Sequence, residues 1–265
     1  MKIALLLPLA LLLAPATQAQ FDFGKLSSVL DTAKSVGHMA KGAAGIGPEE
    51  ERVIGESVAL EIIGKYGGLV RDQDTLQRVN LVGRAVALAS SRPDLNWRFA
   101  VLNSATVNAF SAPDGYVFIT RALYDLATSD DELAGILGHE IAHIAERHAL
   151  KIVARGEFLT GATSLASQQS SDVRQLDEQL REFDLGVGKI TSTLFETGFD
   201  PQTEFAADAE GRSLAAITGY APGGLRAVLV QLQRHGSSTQ RAFSTHPPLK
   251  ERIHHLPDEP APPAS

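Results

Sequence analysis

Apolar positions change period along this chain, and the changes mark its elements. Val53, Ile54, Val58, Ile62 and Ile63 recur at helical spacing, so a helix is expected from about Glu49. Leu76, Val79, Val82, Val86 and Ala89 give a second helix, with Asp72 or Asp74 as its N-cap. The period then shortens. Trp97 to Leu102, Val107 to Ser111 and Tyr116 to Thr120 read as strands, the last two joined by Ala112-Pro113-Asp114-Gly115, a turn sequence. Helical spacing returns at Leu133, Ile136, Leu137, Ile141 and Ile144. Ser129 and Glu132 form the capping box ahead of that run. Asp200-Pro201 opens another helix over about 201–217, and helices near 222–234 and 248–255 follow. The expected architecture is α+β, mainly helical, with a small antiparallel hairpin or sheet inserted early.

The ends and one internal stretch stand apart. Lys2 precedes an apolar run from Ile3 to Ala14, and Pro15 to Gln20 supplies small residues at a cleavage point. That is the layout of a secretory signal over residues 1–19, cut after Ala19, with Ala16 as the alternative. A membrane anchor is the rival reading, but a span needs about 20 apolar residues and this run is shorter. Residues 20–47 carry Gly37, Gly42, Gly45 and Gly47 with weak helical periodicity, and read as a peripheral arm or helix. Residues 156–186 are polar and suggest a mobile loop with a solvated helix, and the tail 257–265 is too Pro-rich to be anything but a disordered end. The protein is therefore expected to be periplasmic, with no membrane span once the signal is removed.

Composition narrows the chemistry. The 265 residues contain no Cys, which excludes disulfides, thiolate metal sites, a thiol nucleophile and an N-terminal lipidated Cys. The formal charge of -7 argues against nucleic acid as a partner. Removing residues 1–19 deletes Lys2 alone, leaving 23 bases against 31 acids, a net of -8. Soft metal ligation falls to the 8 His residues.

Two of those, His139 and His143, lie four apart in His139-Glu140-Ile141-Ala142-His143. At 3.6 residues per turn they are about 40° apart on the helix, so both imidazoles can hold one metal ion. Glu140, about 100° from His139, lies beside such a metal and can take a proton from water without being a ligand. A solvent-facing helix with two surface histidines is the bland alternative. Ala134, Gly135, Ile136, Leu137, Gly138, Ile141 and Ala142 argue against it, because small and apolar neighbours mark a buried helix.

The third ligand is less plain. The extended pattern H-E-x-x-H-x-x-G-x-x-H fails, with Glu146 and Ala149 at its last two fixed positions. His148 is about 140° from His143 on a continuous helix and reads as a polar helix-end residue. Glu204 is the best candidate, with Asp208 one turn on to accept the free ring N–H of a ligand histidine. The Ala206-Ala207 pair would let that helix approach closely. An ordinary acidic first turn remains the other reading of Glu204. Glu157, Glu182, Asp184 and Glu196 lack its small, apolar surroundings.

Several strings together carry a resemblance: Asn108-Ala109-Phe110, Pro113-Asp114-Gly115, Glu132-Leu133-Ala134 leading into Leu137-Gly138 and the His139–His143 motif, Glu204-Phe205-Ala206-Ala207-Asp208, and Thr245-His246-Pro247-Pro248 with Arg252. In this order they closely resemble the metallopeptidase family of HtpX and the CAAX prenyl endopeptidases. The likeness is greatest to its soluble, secreted bacterial branch, which includes outer-membrane quality-control proteases. The resemblance implies a zincin-like metalloprotease domain over 48–256 and one Zn2+ per chain, held by His139, His143 and Glu204. It implies Glu140 as the catalytic base and Asp208 as the carboxylate behind a ligand histidine. It also implies His246 and Arg252 as oxyanion stabilisers, with His246 able to plug the site at rest. Asn108, Ala109 and Phe110 would lie on an edge strand that pairs with substrate backbone. Asp114 departs from the family, which usually has Gly there.

The expected function is that of an exported zinc metalloendopeptidase, with Glu140 activating a zinc-bound water. It would cleave misfolded or unassembled envelope proteins presented as extended polypeptides, in possible association with outer-membrane assembly machinery. The rivals are a cleavage-gated chaperone or outer-membrane assembly factor on the same fold, and a zinc hydrolase that is not a peptidase.

Overall fold

A computed structural model describes residues 46–152, 187–234 and 245–257. The readings for the signal, the arm over 20–45, the polar stretch after residue 152 and the tail beyond Pro257 fall outside those residues.

Helix α1 spans Pro48–Lys65 and α2 spans Gln73–Leu88, the latter capped by Asp72, whose side chain accepts from the Thr75 N–H. Strands β1 (Arg98–Leu102), β2 (Ala109–Ala112) and β3 (Tyr116–Thr120) follow. A short α3 (Arg121–Leu126) then leads to α4 (Asp130–Ala145). Residues 187–192 are helical and run into a π-helical turn, Thr193–Thr197. Helices α5 (Pro201–Ile217), α6 (Gly224–Arg234) and α7 (Leu249–His255) complete the order.

The sheet order is β1-β3-β2. β2 and β3 form the expected antiparallel hairpin, but β1 joins β3 in parallel, Arg98 opposite Tyr116, so the sheet is mixed. Local sequence does not encode that pairing, since its partners are brought together only by the rest of the fold.

Alternation along the strands builds two cores, one on each side of the sheet. Phe99, Val101, Val117 and Ile119 face α2, α4 and α6. Ala100, Leu102, Phe110 and Phe118 face α1 and the segment with Ile190 and Leu194. Every residue of α4 from Glu132 to Ala145 is buried. A helix enclosed on all sides reads as a run of small and apolar residues, as this one does.

Three local features differ from expectation. Ser129 caps α4, accepting from the Glu132 N–H, yet Glu132 does not reach back to the cap. Its Oε2 accepts from Thr128 N–H at 2.6 Å and its Oε1 from Gln231 at 2.6 Å, tying α4 to α6. The close approach of α4 and α5 does not rest on the Ala206-Ala207 pair, because Ala206 is exposed; Gly138 and Gly211 make it. Asp114 sits at φ 63, in the left-handed region where Gly is easiest. Asp tolerates that region, and here its carboxylate lies 3.5 Å from Arg98 while its N–H donates to Glu51 Oε1. The departure at this position is thus absorbed by local contacts.

Candidate metal centre

α4 contributes His139, Glu140 and His143, all buried. α5 crosses α4 and brings in Glu204 from its first turn and Asp208 one turn later. The segment ahead of α7 brings His246, and α7 itself brings Arg252. Residues separated by more than a hundred positions thereby converge on one point.

His139 Nε2 and His143 Nε2 lie 3.2 Å apart. Glu204 Oε2 is 3.6 Å from the first and Oε1 is 3.7 Å from the second. His246 Nδ1 completes the ring at 2.5 Å from Glu204 Oε2. Zinc at about 2.0–2.1 Å from tetrahedral nitrogen or oxygen donors separates them by about 3.3 Å, so the spacing fits. Glu204 is wholly enclosed at 0% exposure, and its Oε1 has no hydrogen-bond partner. A buried carboxylate oxygen left unpaired is costly, and a cation between it and two imidazoles would satisfy it. His139, Glu204 and His246 also form a compact donor set by themselves. Both sets share His139 and Glu204, and they differ only in whether His143 or His246 is the third donor.

Behind these donors lies a supporting layer. His139 Nδ1 is 2.8 Å from Asp208 Oδ1. Arg252, 1% exposed, donates to Asp208 twice, Nε to Oδ2 at 2.9 Å and Nη2 to Oδ1 at 2.6 Å. Its Nη1 is buried without a partner. A surface position on a short helix would have suited this arginine from the local sequence alone. Instead, its side chain fills the space beneath His139, and its deep burial has no local signal.

The electrostatics follow from this packing. Burial would raise the Glu204 carboxyl, but the imidazoles of His246, His143 and His139 hold it far below the usual carboxylate range. Burial would likewise raise Asp208, and Arg252 overcomes it. Burial pushes His143 well below its ordinary value. For His139, burial and Arg252 push down, while Asp208 and Glu204 push up and prevail.

The strand residues behave differently. Asn108 accepts from Thr120 N–H through its carbonyl and donates its own N–H to Thr120 Oγ1, so its backbone is turned into the sheet. Its side-chain Oδ1 accepts from Ala109 N–H. Phe110 is buried against Tyr66 and Phe195. By the alternation of an antiparallel ladder, Ala109 and Ser111 turn their backbone groups to the other edge. The string Asn108-Ala109-Phe110 therefore does not present three equivalent positions, and Ser111, which the sequence reading passed over, is the outward-turned residue beyond Ala109.

His148 was expected at the polar end of a continuous helix. α4 stops at Ala145, and Arg147 adopts φ 56, which turns the chain. His148 Nδ1 then lies 2.9 Å from His143 Nδ1.

The family model for peptidase family M48 matches residues 73–259, which include α4, α5 and α7 with every donor just described. The chain belongs to peptidase family M48. Among similar M48-type proteins is a mitochondrial metalloendopeptidase, OMA1, of Schizosaccharomyces pombe, 27% identical over 208 residues, covering 77% of this chain and 59% of that one. The beta-barrel assembly-enhancing protease of Escherichia coli is 24% identical over 231 residues, covering 84% of this chain and 46% of its own. Metalloprotease YcaL of Escherichia coli is 28% identical over 252 residues, covering 94% and 96%. The chain thus spans about half the length of the first two M48 relatives and nearly all of the third. Among the described residues, no helix is long and apolar enough to cross a membrane.

Proposed function

We propose that this M48 chain is a zinc metalloendopeptidase that hydrolyses peptide bonds in extended polypeptides. The observation that carries this reading is the meeting of Glu204 from α5 with His139 and His143 from α4, with Glu204 Oε1 buried and unpaired. His139, His143 and Glu204 would hold the metal. Bound zinc supplies Lewis acidity to the scissile carbonyl and to the attacking water.

The chain's own residues do the rest. Glu140 accepts the proton of the attacking water and returns it to the leaving amine. Asp208 accepts His139 Nδ1–H and so keeps Nε2 aimed at the site, while Arg252 locks Asp208 in place. The family resemblance would give Arg252 a second role, toward the oxyanion that forms as the carbonyl is attacked, and its Nη1, buried without a partner, is the donor not used on Asp208. Substrate backbone pairs with the outer edge of β2 at the Ala109 carbonyl and at Ser111, the Ala109 N–H being taken by Asn108 Oδ1.

The test is Glu140→Gln in the full chain. Zinc content should stay at one per chain while casein cleavage disappears; equal cleavage by both proteins would refute the assignment.

His246 favours a gated form of this activity. With Nδ1 seated on Glu204 and its ring 5.4 Å from that of His139, it takes up space at the donor cluster that water or substrate would otherwise use. An envelope role, acting on misfolded or unassembled proteins near the outer-membrane assembly machinery, draws on two supports. One is the secretory layout of residues 1–19. The other is the role that the name of one relative, the beta-barrel assembly-enhancing protease of Escherichia coli, gives to that protein. A chaperone or assembly factor with rare cleavage is the alternative, and the resting place of His246 suits it equally well.

A further inference from the structure

The two histidines of α4 are held differently at the nitrogens that face away from the donor cluster. His139 Nδ1 meets a carboxylate, Asp208. His143 Nδ1 meets another imidazole, Nδ1 of His148, at 2.9 Å. We propose that His148 is the positioning residue for His143, accepting its Nδ1–H and so setting the tautomer and ring orientation with which Nε2 faces a divalent metal. This rests on the reading of His139, His143 and Glu204 as metal donors.

The argument is one of donor and acceptor balance. An imidazole that gives Nε2 to a metal as a lone pair carries its proton on Nδ1. That N–H is buried here, and without an acceptor it would cost the desolvation of an unsatisfied donor. His148 can accept through Nδ1 only if its own proton is on Nε2, so the contact fixes both rings in complementary tautomers.

The surroundings hold this contact in place. On a continuous helix His148 would point about 140° away from His143, and no contact could form. The left-handed Arg147 breaks the helix and swings His148 back. That turn is itself secured, because Arg147 Nη2 lies 3.2 Å from Glu51 and donates to Ile46 O at 2.5 Å. Glu51, only 2% exposed, is clamped in turn by Arg92, which donates to both its carboxylate oxygens at 2.6 and 3.0 Å. Phe199 stacks on His143 at 4.6 Å between centroids and 19° between planes, and also borders the His148 ring.

The experiment measures zinc affinity, not cleavage, on the full chain stripped of metal, by competition with a chromogenic chelator. His148→Phe keeps an aromatic ring beside Phe199 but has no acceptor; His148→Gln keeps an acceptor. Outer partners of this kind are worth about 10- to 100-fold in metal affinity. We expect His148→Phe to bind zinc at least about 10-fold more weakly and His148→Gln to recover most of that loss, with the metal-free melting temperatures unchanged. Wild-type affinity in His148→Phe, or equal losses in both variants, would overturn the proposal while leaving the metal site intact. A wild-type chain that binds no zinc would overturn the metallopeptidase reading and this inference together. Nitrogen-15 spectra of the zinc-loaded chain give a second readout: the proton of His148 belongs on Nε2, and finding it on Nδ1 would also refute the assignment.

Discussion

Gly138 on α4 and Gly211 on α5 bring the two helix backbones into direct contact. A Cβ on Gly138 would stand 2.7 Å from Gly211 O, and one on Gly211 would stand 2.5 Å from the His139 nitrogen. Glycine inside a helix costs about 1 kcal/mol relative to alanine, so both positions give up intrinsic stability for closeness. The approach is what lets Glu204, two turns ahead of Gly211, reach both histidines.

Gly211→Ala should therefore damage the site more than helix propensity would suggest. Forcing the backbones apart is an overpacking defect of about 1–3 kcal/mol, which outweighs the propensity gain. Melting of the metal-free chain should show that loss, and zinc should raise the melting temperature less than it does for wild type. An unchanged zinc response would mean that the helix contact does not set the donor spacing.

The Asp208–Arg252 pair should make the metal-free chain acid-sensitive. Arg252 holds Asp208 below its unfolded value against the effect of burial, so the contribution is fully present above the ordinary carboxylate range. It is lost as pH falls through the depressed value. The melting temperature should drop as pH is lowered from about 5 to about 2, and Asp208→Asn should flatten that slope. Arg252→Leu leaves the buried Asp208 carboxylate with the His139 ring as its one remaining partner among the described residues. It should cost about 3 kcal/mol at neutral pH, of which Asp208→Asn in the same chain restores a part.

Asp114→Gly should be close to neutral. The change relieves a left-handed non-glycine residue but loses the Arg98 contact and adds unfolded-chain entropy, so the terms oppose one another within about 1 kcal/mol. Asp114→Val keeps the strain without the polar compensation and should cost about 1–3 kcal/mol by urea unfolding. Similar stabilities for the two variants would show that backbone conformation is not what this position demands.

His246→Ala separates two roles. If the ring seated on Glu204 restrains the chain, basal casein cleavage should rise severalfold, and added imidazole should return it toward the wild-type rate. A loss of cleavage would instead assign His246 to stabilising the transition state.

Local signals made much of this legible. The His139–His143 spacing, the Ser129 cap, the Asp200-Pro201 start of α5 and the turn at Asp114-Gly115 each act over a few residues, and each placed its element within a few positions. What escaped notice depends on partners distant in sequence. The parallel pairing of β1 has no turn to announce it. Arg252 looks like any helix-end cation until α4 and α5 are packed above it. His148 points elsewhere than a continuous helix would direct it because Arg147, neither Gly nor Asn, gives no local sign of a left-handed turn; the restraint comes from Glu51 on α1 and the Ile46 carbonyl, roughly a hundred residues away. Asn108 matched a string well, but which of its atoms face outward depends on ladder register, which a string does not carry.

The proposed donors at 139, 143 and 204, with His246 beside them, are contributed by three separate stretches of chain, each useless alone. A fragment ending before α5 would have two histidines and no carboxylate; one ending before residue 246 would lack its restraint. Hydrolytic competence on this reading arrives only with the finished tertiary structure, so a nascent or unfolded copy would be harmless to the proteins around it.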